Sequence, residues 1–103
     1  MMERDSRMPL YGIAVAAQLV GMPIATLRLY EDRGVLSPAR STGGTRRYSD
    51  DDIDRLKRAG RLRDEGVNVA GIGRVLDLQD ENVRLHRRLA ERSDAPFSDT
   101  EPT

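Results

Sequence analysis

The chain has 103 residues, 38% hydrophobic and 33% charged, with 17 basic and 17 acidic side chains and no cysteine. Such a length carries one modest core, and the composition excludes disulfide scaffolds, iron–sulfur clusters and thiol chemistry, while no stretch approaches the ~20 apolar residues of a spanning helix. The zero net charge hides a basic front, with seven Arg against four acids in residues 1–48, and an acidic end, with three acids and no base in residues 93–103.

Residues 1–10 mix charge with Pro9 without periodicity and are expected to form a flexible arm. From Ile13 the apolar set Ile13, Ala16, Leu19 and Val20 falls on one helical face, and Gly21 stands where a glycine ends a helix. Pro23 is tolerated at a helix start, so a second helix is predicted from Ile24 to Arg33, ended by Gly34. Its expected inward residues are Ile24, Leu27 and either Tyr30 or a neighbour of Glu31. Two short helices around a turn of about three residues containing Gly make a helix-turn-helix pattern, which many small helical proteins share.

Val35-Leu36-Ser37-Pro38 then reads as a β-prone piece, Gly43-Gly44 as a loop and Arg46-Arg47-Tyr48 as the return of a small hairpin. Ser49 is expected to cap a third helix with Asp50, Asp51 and Asp52 in its first turn, where the dipole favours acids. Ile53, Leu56 and Leu62 mark its inner side and Gly66 its end. Gly60 costs about 1 kcal/mol relative to Ala there, which close packing against another backbone would rationalise. Asn68 is a candidate cap for a fourth helix with Ile72, Val75 and Leu76 inward, and a fifth runs from Asp80 to Arg92. Leu78, Asn82, Leu85 and Leu89, spaced by four, three and four, form a coiled-coil seam of barely two heptads, with Val83 offering a competing face. A helix that short is marginal alone in water, so these leucines need a partner surface. Residues 93–103, polar, acidic and Pro-containing, read as a disordered tail.

Catalytic chemistry finds little to stand on. Gly71-Ile72-Gly73 lacks the third small residue and the βαβ setting of a dinucleotide fingerprint, so packing is the plainer reading. The Asp50–Asp52 run suits a helix start without a metal, and His86, the one histidine, lies in an Arg-rich helix as a solvated side chain. No enzymatic role, cofactor or metal site is expected. The second helix and the hairpin differ. Thr26, Arg28 and Tyr30 sit on a helix after a tight turn, and Arg40, Thr42, Thr45, Arg46 and Arg47 sit on the adjoining hairpin. Arginine forks fit phosphates and guanine edges, a helix fits the major groove, and hydroxyls and bare glycine N–H groups reach phosphates. The plainer alternative pairs Arg28 with Glu31 or Asp32 and leaves the hairpin arginines solvated; charge alone leaves both open.

The order of these residues carries more than their charge. Thr26-Leu27-Arg28-Leu29-Tyr30-Glu31-Asp32-Arg33-Gly34-Val35-Leu36-Ser37-Pro38, the Arg46-Arg47-Tyr48-Ser49 run before an acidic helix start, and the Gly66-Val67-Asn68-Val69-Ala70-Gly71-Ile72 stretch resemble the DNA-binding domain of the MerR family of transcription regulators, from about Tyr11 to Leu78. Within the family the resemblance is to the HspR type, heat-shock repressors of chaperone operons. It implies a mainly α, winged helix-turn-helix domain over 11–78 and a short dimerisation helix over 79–92, carrying Leu78, Asn82, Leu85 and Leu89. Thr26, Arg28 and Tyr30 then belong to the recognition helix, with Arg28 and Tyr30 also holding it in place and Tyr30 half in the core. Arg40, Thr45, Arg46, Arg47 and Tyr48 fall on the wing that contacts backbone and flanking groove. Leu29 stands where many members carry a second Tyr, so that phosphate contact drops out. Ala14 stands where Ser or Thr often caps the first helix.

The same resemblance implies a stress-response repressor that binds an inverted repeat of double-stranded DNA as a homodimer, without a membrane role, at the nucleoid of a bacterial cytoplasm. Many members continue into a long coiled coil and a ligand or metal domain, often with cysteines. Neither is present here, so drug, metal and redox sensing are not expected, and the DnaK chaperone is the co-repressor that the resemblance implies. Two other classes stay open: a small excisionase-like or architectural DNA-binding protein, and a protein-interaction adaptor that uses the Leu85/Leu89 face with weak DNA binding.

Overall fold

A computed structural model describes residues 5–93. The start of the expected arm and the expected tail beyond Ser93 lie outside the described residues. In chain order the elements are α1 (Ile13–Val20), α2 (Ile24–Asp32), β1 (Ala39–Arg40), β2 (Arg46–Arg47), α3 (Asp50–Asp64) and α4 (Val69–Ser93).

α1 and α2 make the corner. Gly21 takes φ +69°, and the Met22 N–H turns back to the Ala17 carbonyl at 3.1 Å, closing the last turn of α1 through a left-handed residue that side chains resist. Pro23, extended at φ −63°, launches α2, and the two axes are bent by 102° at the break. α1 starts at Gly12, whose position offers no side-chain cap, so Ala14 is not a lost cap but an exposed residue inside the first turn. The inner face of α1 is Ala16 and Ala17, with Ile13 and Val20 half-buried, and Leu19, expected inward, is 47% exposed. On α2, Leu27 and Tyr30 are buried, while Ile24 lies at the outer edge of the corner.

Gly34, at φ +77°, ends α2, and the Val35 N–H reaches the Tyr30 carbonyl at 2.8 Å. Val35, Leu36 and Pro38 are buried linker rather than strand, because β2 offers only two residues to pair with; the ladder begins at Ala39. Tyr48 pairs back to Tyr11 through Tyr48 N–H to Tyr11 O at 2.7 Å and Tyr11 N–H to Tyr48 O at 2.9 Å. The Ser6 carbonyl accepts from Asp51 N–H at 3.0 Å. Residues 5–10 therefore do not hang free: their backbone satisfies the strand edge at Tyr48 and an otherwise orphaned donor in the first turn of α3.

α3 opens with a reciprocal cap. Ser49 Oγ accepts from Asp52 N–H at 3.1 Å and the Asp52 carboxylate accepts from Ser49 N–H at 2.9 Å. Ile53, Leu56, Ala59 and Gly60 are buried, and Leu62 is half-buried. A Cβ on Gly60 would stand 2.7 Å from Met22 Cε, so the close neighbour is a methionine methyl, not a backbone. Asn68 Oδ1 accepts from Gly71 N–H at 2.9 Å at the start of α4, which then runs for 25 residues without a break. The separate fifth helix is thus the second half of α4, since nothing between Leu78 and Asp80 interrupts the backbone ladder. Ile72 and Leu76 are fully buried against α3. Arg55 and Arg58 of α3 extend that contact by pairing with Asp77 and Asp80. Beyond them the apolar residues Val83, Leu85 and Leu89 stand exposed along a projecting helix. Among the described residues, no single helix is long and apolar enough to cross a membrane.

Candidate nucleic-acid interface

The hairpin register decides where its arginines go. Arg40 pairs with Arg46, and Ala39 with Arg47. Directly opposed residues share a face of an antiparallel ladder, so Arg40 and Arg46 stand together as like charges, while Arg47 takes the other face. Glu31, near the end of α2, resolves that repulsion. Its Oε2 accepts from Arg40 Nη2 at 2.7 Å and its Oε1 accepts from Arg46 Nε. Arg40 also donates through Nη1 to the Gly44 carbonyl at 3.1 Å, stiffening the wing loop, which Ser41 closes by accepting from Thr45 N–H at 3.2 Å. The Glu31 carboxylate raises the Arg46 pKa, chiefly through this hydrogen bond.

Tyr30 and Tyr48, expected among the DNA-binding residues, lie in the core. Tyr30 is 1% exposed and Tyr48 0%, and neither hydroxyl has a hydrogen-bond partner among the described residues. Tyr30 lies one turn after Leu27 on the inward stripe of α2, and Tyr48 alternates inward from Arg47. They are core posts beneath the helix and the wing. Burial, reinforced by the nearby Glu31 charge, pushes the Tyr48 phenol pKa up.

The remaining candidates divide by position. Arg28 and Arg47 are exposed and form no ion pair among the described residues, so Arg28 is not held by Glu31 or Asp32. Thr26 is half-buried on α2, and Thr42 and Thr45 are exposed on the wing loop. Arg33, exposed at the end of α2, adds a cation that its place at the helix end does not single out in the sequence. Glu31, which the sequence offers only as a partner for Arg28, instead joins Arg40 to Arg46. Leu78, Asn82, Leu85 and Leu89 are all exposed on α4. Among the described residues, no cluster of three His, Cys, Asp or Glu could hold a metal ion.

The sequence profile of MerR HTH family regulatory proteins matches residues 11–79. The chain is 46% identical over 84 residues to a Streptomyces coelicolor protein named as heat shock protein HspR, covering 81% of this chain and 56% of that one. It is 38% identical over 96 residues to the HTH-type transcriptional regulator GlnR of Bacillus anthracis, covering 89% and 74%. Among solved structures, HiNmlR, a MerR family regulator lacking the sensor domain and bound to promoter DNA, superposes with a TM-score of 0.62 at 25% identity, covering 85% of this chain and 73% of that one. The N-terminal part of MtaN, the Bacillus subtilis multidrug transporter activator, shares the fold with a TM-score of 0.61 at 24% identity, covering 85% and 99%. The corner, the wing and the profile coincide over the same residues, and the chain belongs to the MerR HTH family of transcription regulators.

Proposed function

We propose that the chain is a sequence-specific repressor of the HspR type that binds an inverted repeat in double-stranded DNA as a homodimer. The observation that carries the reading is a wing tied by Glu31 beside a helix that leaves a 102° corner, an arrangement suited to one groove and its flanking backbone. Two copies set α2 in successive major grooves, with Thr26 and Arg28 meeting base edges. Arg47, Thr42, Thr45 and the bare N–H groups of Gly43 and Gly44 meet phosphates. Residues 11–78 form the DNA-binding unit, and residues 79–92 the dimer contact, whose seam starts at the boundary residue Leu78 and continues through Asn82, Leu85 and Leu89. The protein works at the bacterial nucleoid in the cytoplasm, without enzymatic activity, and DnaK acts as co-repressor. The repressor reading is supported by a relative that carries the HspR name and, for DNA, by a structural neighbour solved on promoter DNA.

Genome-wide immunoprecipitation of the tagged protein, with and without heat shock, tests this. The expected result is a few peaks on inverted repeats at chaperone promoters, lost on heating. Sharp peaks elsewhere would remove the heat-shock and DnaK assignments, and the absence of specific peaks would remove the repressor. Thr26→Ala is expected to change preference among sequences; unchanged preference and affinity would show that α2 does not read bases through this residue.

A further inference from the structure

We infer that Glu31 is a positioning residue for DNA recognition: it withholds Arg40 and Arg46 from phosphates and fixes the wing against α2, so that the protein discriminates among sequences instead of gripping any duplex. This rests on the DNA-binding reading above. Both carboxylate oxygens are occupied, one by each arginine, and the Glu31 side chain is only 14% exposed, against 27% for Arg46 and 48% for Arg40. The Arg46 pair, shielded to that degree, is screened by salt less than the exposed Arg40 one. Its pose is set from beneath, because Glu31 follows Tyr30, which is locked in the core, on the same helix as Arg28. The second tether of Arg40, to the Gly44 carbonyl, carries that pose to the tip of the wing. On α2, its end and the wing, the cations left for DNA are Arg28, Arg33 and Arg47, which form no ion pairs among the described residues.

The consequence is opposite to that expected of ordinary phosphate-gripping arginines. A guanidinium already neutralised by a carboxylate releases few counterions on DNA, whereas each phosphate newly neutralised steepens the slope of log K against log salt by ~0.9. Neutralising Glu31 therefore strengthens binding to irrelevant DNA. Removing Arg46 leaves the salt slope nearly intact but loosens the wing.

The test uses the full chain, a duplex selected by the wild-type protein from a random pool, and a scrambled duplex of the same composition. For Glu31→Gln, a slope steeper by ~0.9 to ~1.8 is expected on scrambled DNA, with several-fold tighter binding there and a smaller ratio of selected to scrambled affinity. Glu31→Asp, which keeps the charge, is expected to keep the wild-type slope. An unchanged or shallower slope for Glu31→Gln with unchanged discrimination overturns the inference. Should Glu31→Gln fail to fold by circular dichroism, Arg46→Gln decides: a slope loss well under ~0.9 with reduced discrimination supports the clamp. A full loss of ~0.9 with discrimination intact overturns it. A wild-type chain that selects no sequence refutes the proposed function, and the inference falls with it; selection by the wild type with overturned variant results refutes the Glu31 role alone.

Discussion

Arg55→Ala probes how the DNA-binding body holds the projecting helix. Arg55 Nε donates to the Val35 carbonyl just after α2, while Nη2 and Nη1 reach Asp77 Oδ1 at 2.8 Å and Asp80 Oδ2 at 3.0 Å on α4. The Arg55 side chain is 17% exposed, but its acidic partners are 75% and 53% exposed, so these two ion pairs contribute about 0–1 kcal/mol each. The Val35 carbonyl is different. Val35 is fully buried, and stripping the donor from a buried carbonyl costs about 1–3 kcal/mol. The carbonyl therefore dominates a total of about 2–3 kcal/mol. At roughly 4–8 °C per kcal/mol for a domain of this size, the midpoint should fall by about 10–20 °C. The Asp77→Asn, Asp80→Asn double variant spares the carbonyl but also breaks the Arg58–Asp80 pair, so it removes three largely exposed pairs of about 0–1 kcal/mol each and should still lose less than Arg55→Ala. Thermal unfolding by far-UV circular dichroism at fixed protomer concentration measures both. A double variant as unstable as Arg55→Ala, or an Arg55→Ala midpoint within ~4 °C of wild type, would refute the reasoning.

Three further outcomes follow from separate features. Tyr48→Phe removes a buried hydroxyl that has no partner among the described residues and should be neutral or stabilising by about 1 kcal/mol; a clear loss of midpoint would show a hidden partner. Because the folded Tyr48 pKa is raised, the folded state holds its proton longer than the unfolded chain. Stability should fall as pH rises past the ordinary phenol value near ~10, and Tyr48→Phe should flatten that fall in an alkaline titration followed by circular dichroism. Ser49→Ala opens the capping box and should cost about 1 kcal/mol, with Ser49→Thr recovering most of it in urea unfolding. Leu85→Glu with Leu89→Glu should leave the helical signal of the body intact while sedimentation equilibrium shifts toward the monomer; an unchanged mass would remove these leucines from the dimer contact.

What could be read from sequence was local punctuation. Gly21, Gly34, Ser49 and Asn68 each act within a few residues of themselves, so a corner, a helix end or a cap is visible wherever the right residue stands. What could not be read depends on register and on elements distant in the chain. The Glu31 clamp requires knowing that Arg40 lies directly across from Arg46 and that this face of the hairpin turns toward α2. Tyr30 and Tyr48 carry the amphipathic side chain that serves equally as phosphate donor and core filler, and only packing separates the two roles. Helical periodicity in α1 places Leu19 on the apolar face with Ile13, Ala16 and Val20, whereas Ala17 is the buried residue and Leu19 is exposed. The split of α4 into two came from a change in composition that the backbone ladder does not share.

Selecting duplexes from a random pool with the full chain and footprinting the bound product shows whether two copies of this chain read one symmetric site. The expected product is an inverted repeat protected on two half-sites about 10 bp apart or a multiple of it, at two chains per duplex. Enrichment of a lone half-site at one chain per duplex, or of no sequence at all, would contradict that arrangement.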